Sequence, residues 1–347
     1  LGNENFCPVI RKTEALRSFI AKDLSAKAMR ILDKVSPVVI ARAASFLLLA
    51  DTQASFAIKQ EKLPTKTQDR WLRAIRQVGS DALNEEELLR LHEIIIGDFR
   101  FTEQGFRTDA VYLGNRTLDN EPLPEFIGAN QNDLQSLLSG LTKTSLIMGN
   151  SDVDAVVQAA AISFGFVYIH PFEDGNGRVQ RCLIHHILAA RNFNPKGMIF
   201  PVSSVMLKRI DEYRKVLQAH SSPLMSYIEW TGNGKGNVNV LNDIADLYRF
   251  FDCTLAATFL YKCVEETIEK DVPEEIDYLR RHDRAMGQIL TEVQMPNHLA
   301  EDFIMFMRQN DWKLPKRRKE KEFALLSDDE VEKLERLVKS AFNDDND

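Results

Sequence analysis

The sequence predicts a mainly α-helical fold with one small β-hairpin. Apolar residues recur every three to four positions through most of the chain, helix-starting patterns precede several of those runs, and alternation with turn residues is confined to one short stretch. At 347 residues with 44% hydrophobic content, the chain can bury a substantial core and divides into more than one structural unit.

The elements follow in order. Ser36-Pro37 is a helix start, and an apolar helix runs from it through Phe46, Leu47 and Leu49 toward Ser55-Phe56-Ala57-Ile58-Lys59-Gln60. Leu88, Leu91, His92, Ile95 and Ile96 make an amphipathic helix in which His92 is assigned to packing or capping, not catalysis. The segment Gly105 to Asn115, followed by Pro122 to Phe126, reads as a short hairpin. Val153, Val156, Val157, Ala160, Phe164 and Val167 form one apolar helix face that ends at Ile169 and leaves His170 on the turn. A second helix begins near Asn176 and carries Val179, Cys182, Leu183, Ile187 and Leu188 until Asn194-Pro195 stops it. The glycine-rich run Gly232 to Asn237 is expected to be a linker, and Leu241 through Val264 one long apolar helical face. Ser327-Asp328-Asp329-Glu330 has the pattern of a capping box ahead of Val331, Leu334, Leu337 and Val338. The expected division is an N-terminal helical region at 1–80, a core at 81–231 and a C-terminal helical module at 238–347.

The stretch HPFEDGNGRVQR, His170 to Arg181, holds the densest chemistry. Gly175, Asn176 and Gly177 fall at a helix N-terminus, where unpaired N–H groups and the positive end of the helix dipole suit an anion. Arg178 and Arg181 lie three apart and project from one helix face, so two guanidinium forks can hold neighbouring phosphates. Asp174 is a hard oxygen ligand placed to hold a Mg²⁺ that bridges phosphate oxygens. His170 is the nearby group able to accept a proton near neutral pH. Singly, each has a plainer role: a tight turn, a helix cap, a solvated ion pair. Together they are an inventory for handling a nucleoside triphosphate.

The string matches H-x-F-x-[D/E]-G-N-G-R-x-x-R at every defined position, and so resembles the signature of the Fic family. The resemblance extends with decreasing specificity from about Pro37 to Trp230. It implies a Fic-type helical core with a β-hairpin flap, and transfer of AMP from ATP, with Mg²⁺, to a Ser, Thr or Tyr hydroxyl of a protein or of the chain itself. By that resemblance His170 is the base, Asp174 the Mg²⁺ ligand, Gly175, Asn176 and Gly177 the phosphate cradle, Arg178 and Arg181 the β- and γ-phosphate ligands, and Phe172 a core anchor. Tyr213 matches a tyrosine near the adenine in relatives, with His220 where many carry asparagine. The rivals are a phosphotransferase or other nucleotide transferase on the same fold, a reversed reaction that removes AMP, and a nucleotide-sensing interaction protein.

Fic proteins are often restrained by a helix carrying [S/T]-x-x-x-E-[G/N]. Here the pattern begins at Ser55 and places Lys59 at the glutamate position, where it is expected to repel Arg181 and attract a γ-phosphate; Glu61 is out of register. A derepressed member of the class is the expectation.

Net charge of −7 argues against a broad nucleic-acid footprint, and the basic run Pro315 to Lys321 is expected to be a solvated connection. Four cysteines without C-x-x-C spacing point to a reducing cytoplasm, and the apolar stretch Val38 to Ala50 is short and interrupted by Arg42, so no membrane span is expected. The C-terminal helices are a candidate dimer or partner module, and the NDDND tail is acidic.

Overall fold

The computed structural model describes residues 1–59, 65–195 and 198–343; Gln60, Glu61 and the end of the acidic tail lie outside the described residues. Helices α1 (Glu14–Ala21), α2 (Leu24–Leu32) and α3 (Pro37–Ala57) open the chain, followed by α4 (Thr65–Arg76) and α5 (Glu85–Ile96). The hairpin of β1 (Tyr112–Arg116) and β2 (Pro122–Ile127) precedes α6 (Leu134–Gly149), α7 (Ala155–Ile169) and α8 (Asn176–Ala190). Next come α9 (Val202–Lys208), α10 (Ile210–Leu224), a second hairpin of β3 (Trp230–Gly232) and β4 (Val238–Val240), α11 (Ala245–Arg249) and α12 (Thr254–Glu266). A π-helical turn at Thr267–Asp271 leads into α13 (Val272–Glu292), α14 (Asn297–Gln309), α15 (Lys316–Lys321) and α16 (Asp328–Asn343). The mainly α class therefore holds, with two antiparallel hairpins among the described residues in place of the one expected.

The chain divides into two units. The first is Leu1–Lys34 with Ala44–Asp271, and the second is Val35–Ala43 with Val272–Asp347.

In the first unit α7 is the axis, packed by α6, α8 and α12. Asp154 caps it by accepting from the backbone N–H of Val156 at 2.8 Å, so Val153 lies outside the helix. The sequence suggested one apolar face, but every residue from Val156 to Ile169 is buried. A helix without a polar face belongs in the centre of a core. Its small residues allow close neighbours: a Cβ on Gly165 would lie 2.3 Å from the Phe6 ring.

Three expected boundaries change. The Gly232–Asn237 run is the turn of the second hairpin, with Gly234 and Gly236 at φ 69° and 81°. It is held against the first hairpin, since Tyr112 donates its hydroxyl to the Gly236 carbonyl at 3.2 Å and Asn237 Nδ2 donates to the Ala110 carbonyl at 2.8 Å. The apolar face from Leu241 to Val264 is broken at Phe250–Cys253, because the backbone of Val9 bonds to Phe251 and Cys253 there and replaces helical partners. Finally, α12 packs on α7, so residues 238–271 belong with the core, and the C-terminal part of the second unit begins at Val272 rather than residue 238.

The second unit has its own core, built around Phe303, Ile304, Met307, Leu334 and Val338. The capping box is present: Ser327 N–H donates to Glu330 Oε2 at 2.8 Å and Glu330 N–H donates to Ser327 Oγ at 3.2 Å. The basic run, expected as a solvated connection, forms the short helix α15 and buries none of its residues fully, with Arg318 over the Phe306 ring at 4.1 Å.

By length and composition α3 is a candidate membrane span. It carries Asp51, Thr52 and Ser55 at 0% exposure, and these side chains are bound within the protein, as a core helix requires.

Candidate functional site

The loop between α7 and α8 is fixed from both ends. His170 caps α7 in the left-handed region, φ 55° and ψ 58°, which turns the chain sharply. Gly175 caps α8 at φ 87°, and a Cβ there would lie 2.9 Å from Ile96 Cδ1 on α5. Asn176 closes the loop on itself, accepting from Phe172 N–H at 3.0 Å and donating to the Phe172 carbonyl at 2.7 Å. Its side chain is thus a brace, which leaves only its backbone to face an anion. The N-cap of α8, Gly175, has no side chain with which to cap the helix, which suits the first-turn N–H groups to an anion.

Phe172 is the expected anchor, fully buried and stacked on His92 with ring centroids 3.7 Å apart and planes within 2°. His92 does more than pack. Its Nε2 lies 3.0 Å from the Asp174 carbonyl, and since a carbonyl can only accept, that nitrogen carries the proton. Burial holds the imidazole below its usual pKa, which favours the neutral ring.

Arg107, which the sequence did not single out, ties this loop to the first hairpin. It is 4% exposed and donates to the carbonyls of His170 at 2.8 Å, Asp109 at 2.7 Å and Ala129. Burial pushes its guanidinium down to about 10, still well above physiological pH. The hint in the sequence was an arginine inside an otherwise hairpin-like stretch.

His170 is buried, and its Nδ1 lies 2.9 Å from the Val167 carbonyl. Nδ1 therefore holds the proton of the neutral ring and Nε2 keeps its lone pair, the tautomer a proton acceptor needs. Desolvation lowers its pKa to about 4, outweighing the Val167 bond. The ring lines a cavity of about 490 Å³ together with Leu113, Glu125 and Phe126 of the hairpin, Val167, and Leu217 of α10. A larger cavity, about 860 Å³, is lined by Ile10, Leu16, Ile20 and Met148, none of them from the motif.

The two arginines sit on a ladder between α3 and α8. Asp51 and Ser55 are four apart on one face of α3, and Lys59, four further on, lies in the turn after it. Asp51 Oδ2 meets His185 Nε2 at 2.9 Å; Ser55 accepts from Arg181 at its hydroxyl (2.8 Å) and its carbonyl (2.7 Å); and Lys59 forms an ion pair with Asp174. Arg178 bonds to the other Asp174 oxygen at 2.8 Å and lies over the Phe56 ring at 5.3 Å. Lys59, expected to repel Arg181, is thus paired with Asp174. α3 ends at Ala57, and the turn that follows carries Lys59 to the carboxylate. Burial pushes the Asp174 carboxyl up, but Lys59 and Arg178 together hold it below its usual range.

Tyr213 is 4% exposed, stacked on Phe259, with its hydroxyl donated to Gln180 at 2.5 Å and in reach of Arg181. It forms a buried wall beside Arg181, not an open platform. His220 packs on Tyr168 with centroids 4.3 Å apart.

Among the described residues no group of three His, Cys, Asp or Glu side chains makes a closed metal cage. One carboxylate beside an anion cradle still fits Mg²⁺, which keeps several waters and takes its remaining ligands from phosphate.

Residues 82–188 match the model of the Fic/DOC family. The chain is 27% identical over 151 residues to the protein adenylyltransferase fic-1 of Caenorhabditis elegans, covering 43% of this chain and 27% of that protein. It is 26% identical over 214 residues to the protein adenylyltransferase Fic of Drosophila melanogaster, covering 61% of this chain and 35% of that protein. The match thus spans about a quarter to a third of the length of these curated relatives. The crystal structure of a Fic family protein from Desulfovibrio desulfuricans shares the fold, with a TM-score of 0.53, 21% identity and 78% of each chain covered.

Proposed function

Since the chain carries a Fic/DOC domain at residues 82–188, we propose that it transfers AMP from ATP to a hydroxyl side chain of a protein. The observation that carries this reading is the His170 tautomer. Nδ1–H is committed to the Val167 carbonyl, and Nε2 is left as acceptor on the loop that leads into the glycine-capped start of α8.

In this mechanism His170 Nε2 takes the proton of the acceptor hydroxyl as that oxygen attacks the α-phosphorus. The new P–O bond forms as the bond to the bridging oxygen breaks, and pyrophosphate leaves. First-turn N–H groups of α8 receive phosphate oxygens, while Arg178 and Arg181 exchange their bonds to Asp174 and Ser55 for the β and γ phosphates. Asp174 would hold Mg²⁺, which supplies charge neutralisation at the phosphates when bound. The negative donor also favours the imidazolium that forms, offsetting the desolvation of His170.

The cavity beside His170 suits a nucleoside in volume, with Val167 and Leu217 as apolar contacts for the base. The first hairpin lies at the same cavity, so an extended target segment added along it brings a hydroxyl toward Nε2. The free cysteines support the cytoplasm as the working compartment. The test is His170→Ala, followed by transfer of label from ATP and by calorimetric ATP binding. Transfer should fall by about 100- to 10,000-fold with ATP affinity retained; equal loss of both removes His170 from the base role.

A further inference from the structure

Lys59 occupies the carboxylate that the proposed mechanism reserves for a metal ion. Its ammonium pairs with Asp174 Oδ1 while Arg178 takes Oδ2, so both oxygens already face a cation. The two partners differ in mobility. Arg178 is 8% exposed and held over Phe56, whereas the Lys59 side chain is 49% exposed on a flexible stem just past the end of α3. The ladder of Asp51, Ser55 and Lys59 against α8 explains why the ammonium arrives at this carboxylate: the two rungs before it are buried and fix the helix's register.

We propose that Lys59 is a built-in competitor for the divalent cation at Asp174, so that metal binding requires the ammonium to leave the carboxylate. A divalent ion and an ammonium cannot share one carboxylate at contact distance without strong like-charge repulsion. In the nucleotide-free protein the metal site is therefore weak, and it becomes strong only when the phosphates arrive with their own ligands and charge. The ammonium, released within reach of those phosphates, joins the arginines there. The metal and its donor are thereby selected together, and a free divalent ion alone does not load the site. This inference rests on Asp174 being the metal ligand of the proposed function.

Metal affinity can be measured without turnover, by titrating Mn²⁺ into the nucleotide-free full chain and following the free-ion signal by electron paramagnetic resonance. Lys59→Gln should tighten Mn²⁺ binding by about fivefold or more, the scale of an exposed ion pair plus removal of a nearby like charge. Lys59→Arg keeps the positive charge and should bind no more tightly than the unaltered protein, while Asp174→Asn in the Lys59→Gln background should abolish the gain. Equal Mn²⁺ affinity in the unaltered and Lys59→Gln proteins overturns the proposal, as does a gain that survives Asp174→Asn. Loss of AMP transfer as the correct activity leaves this titration unaffected, so the two failures are separable.

Discussion

The motif loop is supported on two sides by opposite kinds of chemistry. On the α5 and hairpin side its partners are buried and committed: the Phe172 ring on His92, the Asn176 brace, and Arg107 on three carbonyls. On the α3 side the partners hold the charged groups that the proposed function assigns to the substrate, namely Asp174, Arg181 and, through Phe56, Arg178. The first set fixes where His170 and the α8 N-terminus lie. The second sets whether the charged groups are engaged or available. Geometry and readiness are therefore separable by mutation.

The widest separation should come from Phe172→Ala, which removes a fully buried ring from the committed side. A stability loss of about 3–5 kcal/mol is expected in denaturant titration, with activity falling in step because the loop itself loosens. Acid should reveal the same side next. His170 has its pKa lowered from 6.5 to about 4 by burial, so between those values the unfolded chain binds the proton that the folded chain refuses. Stability is then fully present above pH 6.5 and is lost as pH falls toward 4, by on the order of 3 kcal/mol from this group. His220, also lowered to about 4 by burial, adds in the same direction. A melting temperature that is flat across this window would refute buried neutral imidazoles.

The smallest effect belongs to the α3 side. Ser55→Ala removes one of the two bonds to Arg181 and leaves the carbonyl bond in place. A loss of about 1 kcal/mol is expected, with ATP affinity no weaker than before. If ATP binding instead weakens, Ser55 belongs to the nucleotide site and the contrast between the two supports disappears.

How much of this was legible depends on where the information lay. The α7–loop–α8 unit was readable because an apolar run, a turn and a second apolar run are local signals, and the motif between them keeps a fixed spacing. The same locality made Ser327–Glu330 recognisable as a cap. Arg107 escaped because an arginine in a hairpin-like stretch looks solvated until the carbonyls of Ala129 and His170, 22 and 63 residues away, converge on it beside that of Asp109. Asp51 was passed over for the same reason, its partner His185 lying 134 residues away. The Gly232–Asn237 run has the composition of a linker and of a hairpin turn alike, and the bonds that decide between them come from Tyr112 and Ala110. The unit boundary at Val272 carried no visible break, because the helix passes through a π-helical turn just ahead of Pro273 and continues. Lys59 was noticed for its charge, but its partner was not foreseen, since the turn after α3 decides which acid or base it meets.

The most direct measurement of the central claim is the fate of ATP labelled separately at its α and γ phosphates, incubated with the purified protein, Mg²⁺ and a mixture of candidate protein acceptors. The account predicts protein-bound label from the α position and none from the γ position, lost in His170→Ala. Label from the γ position, or no protein-bound label despite measurable ATP binding, would contradict it.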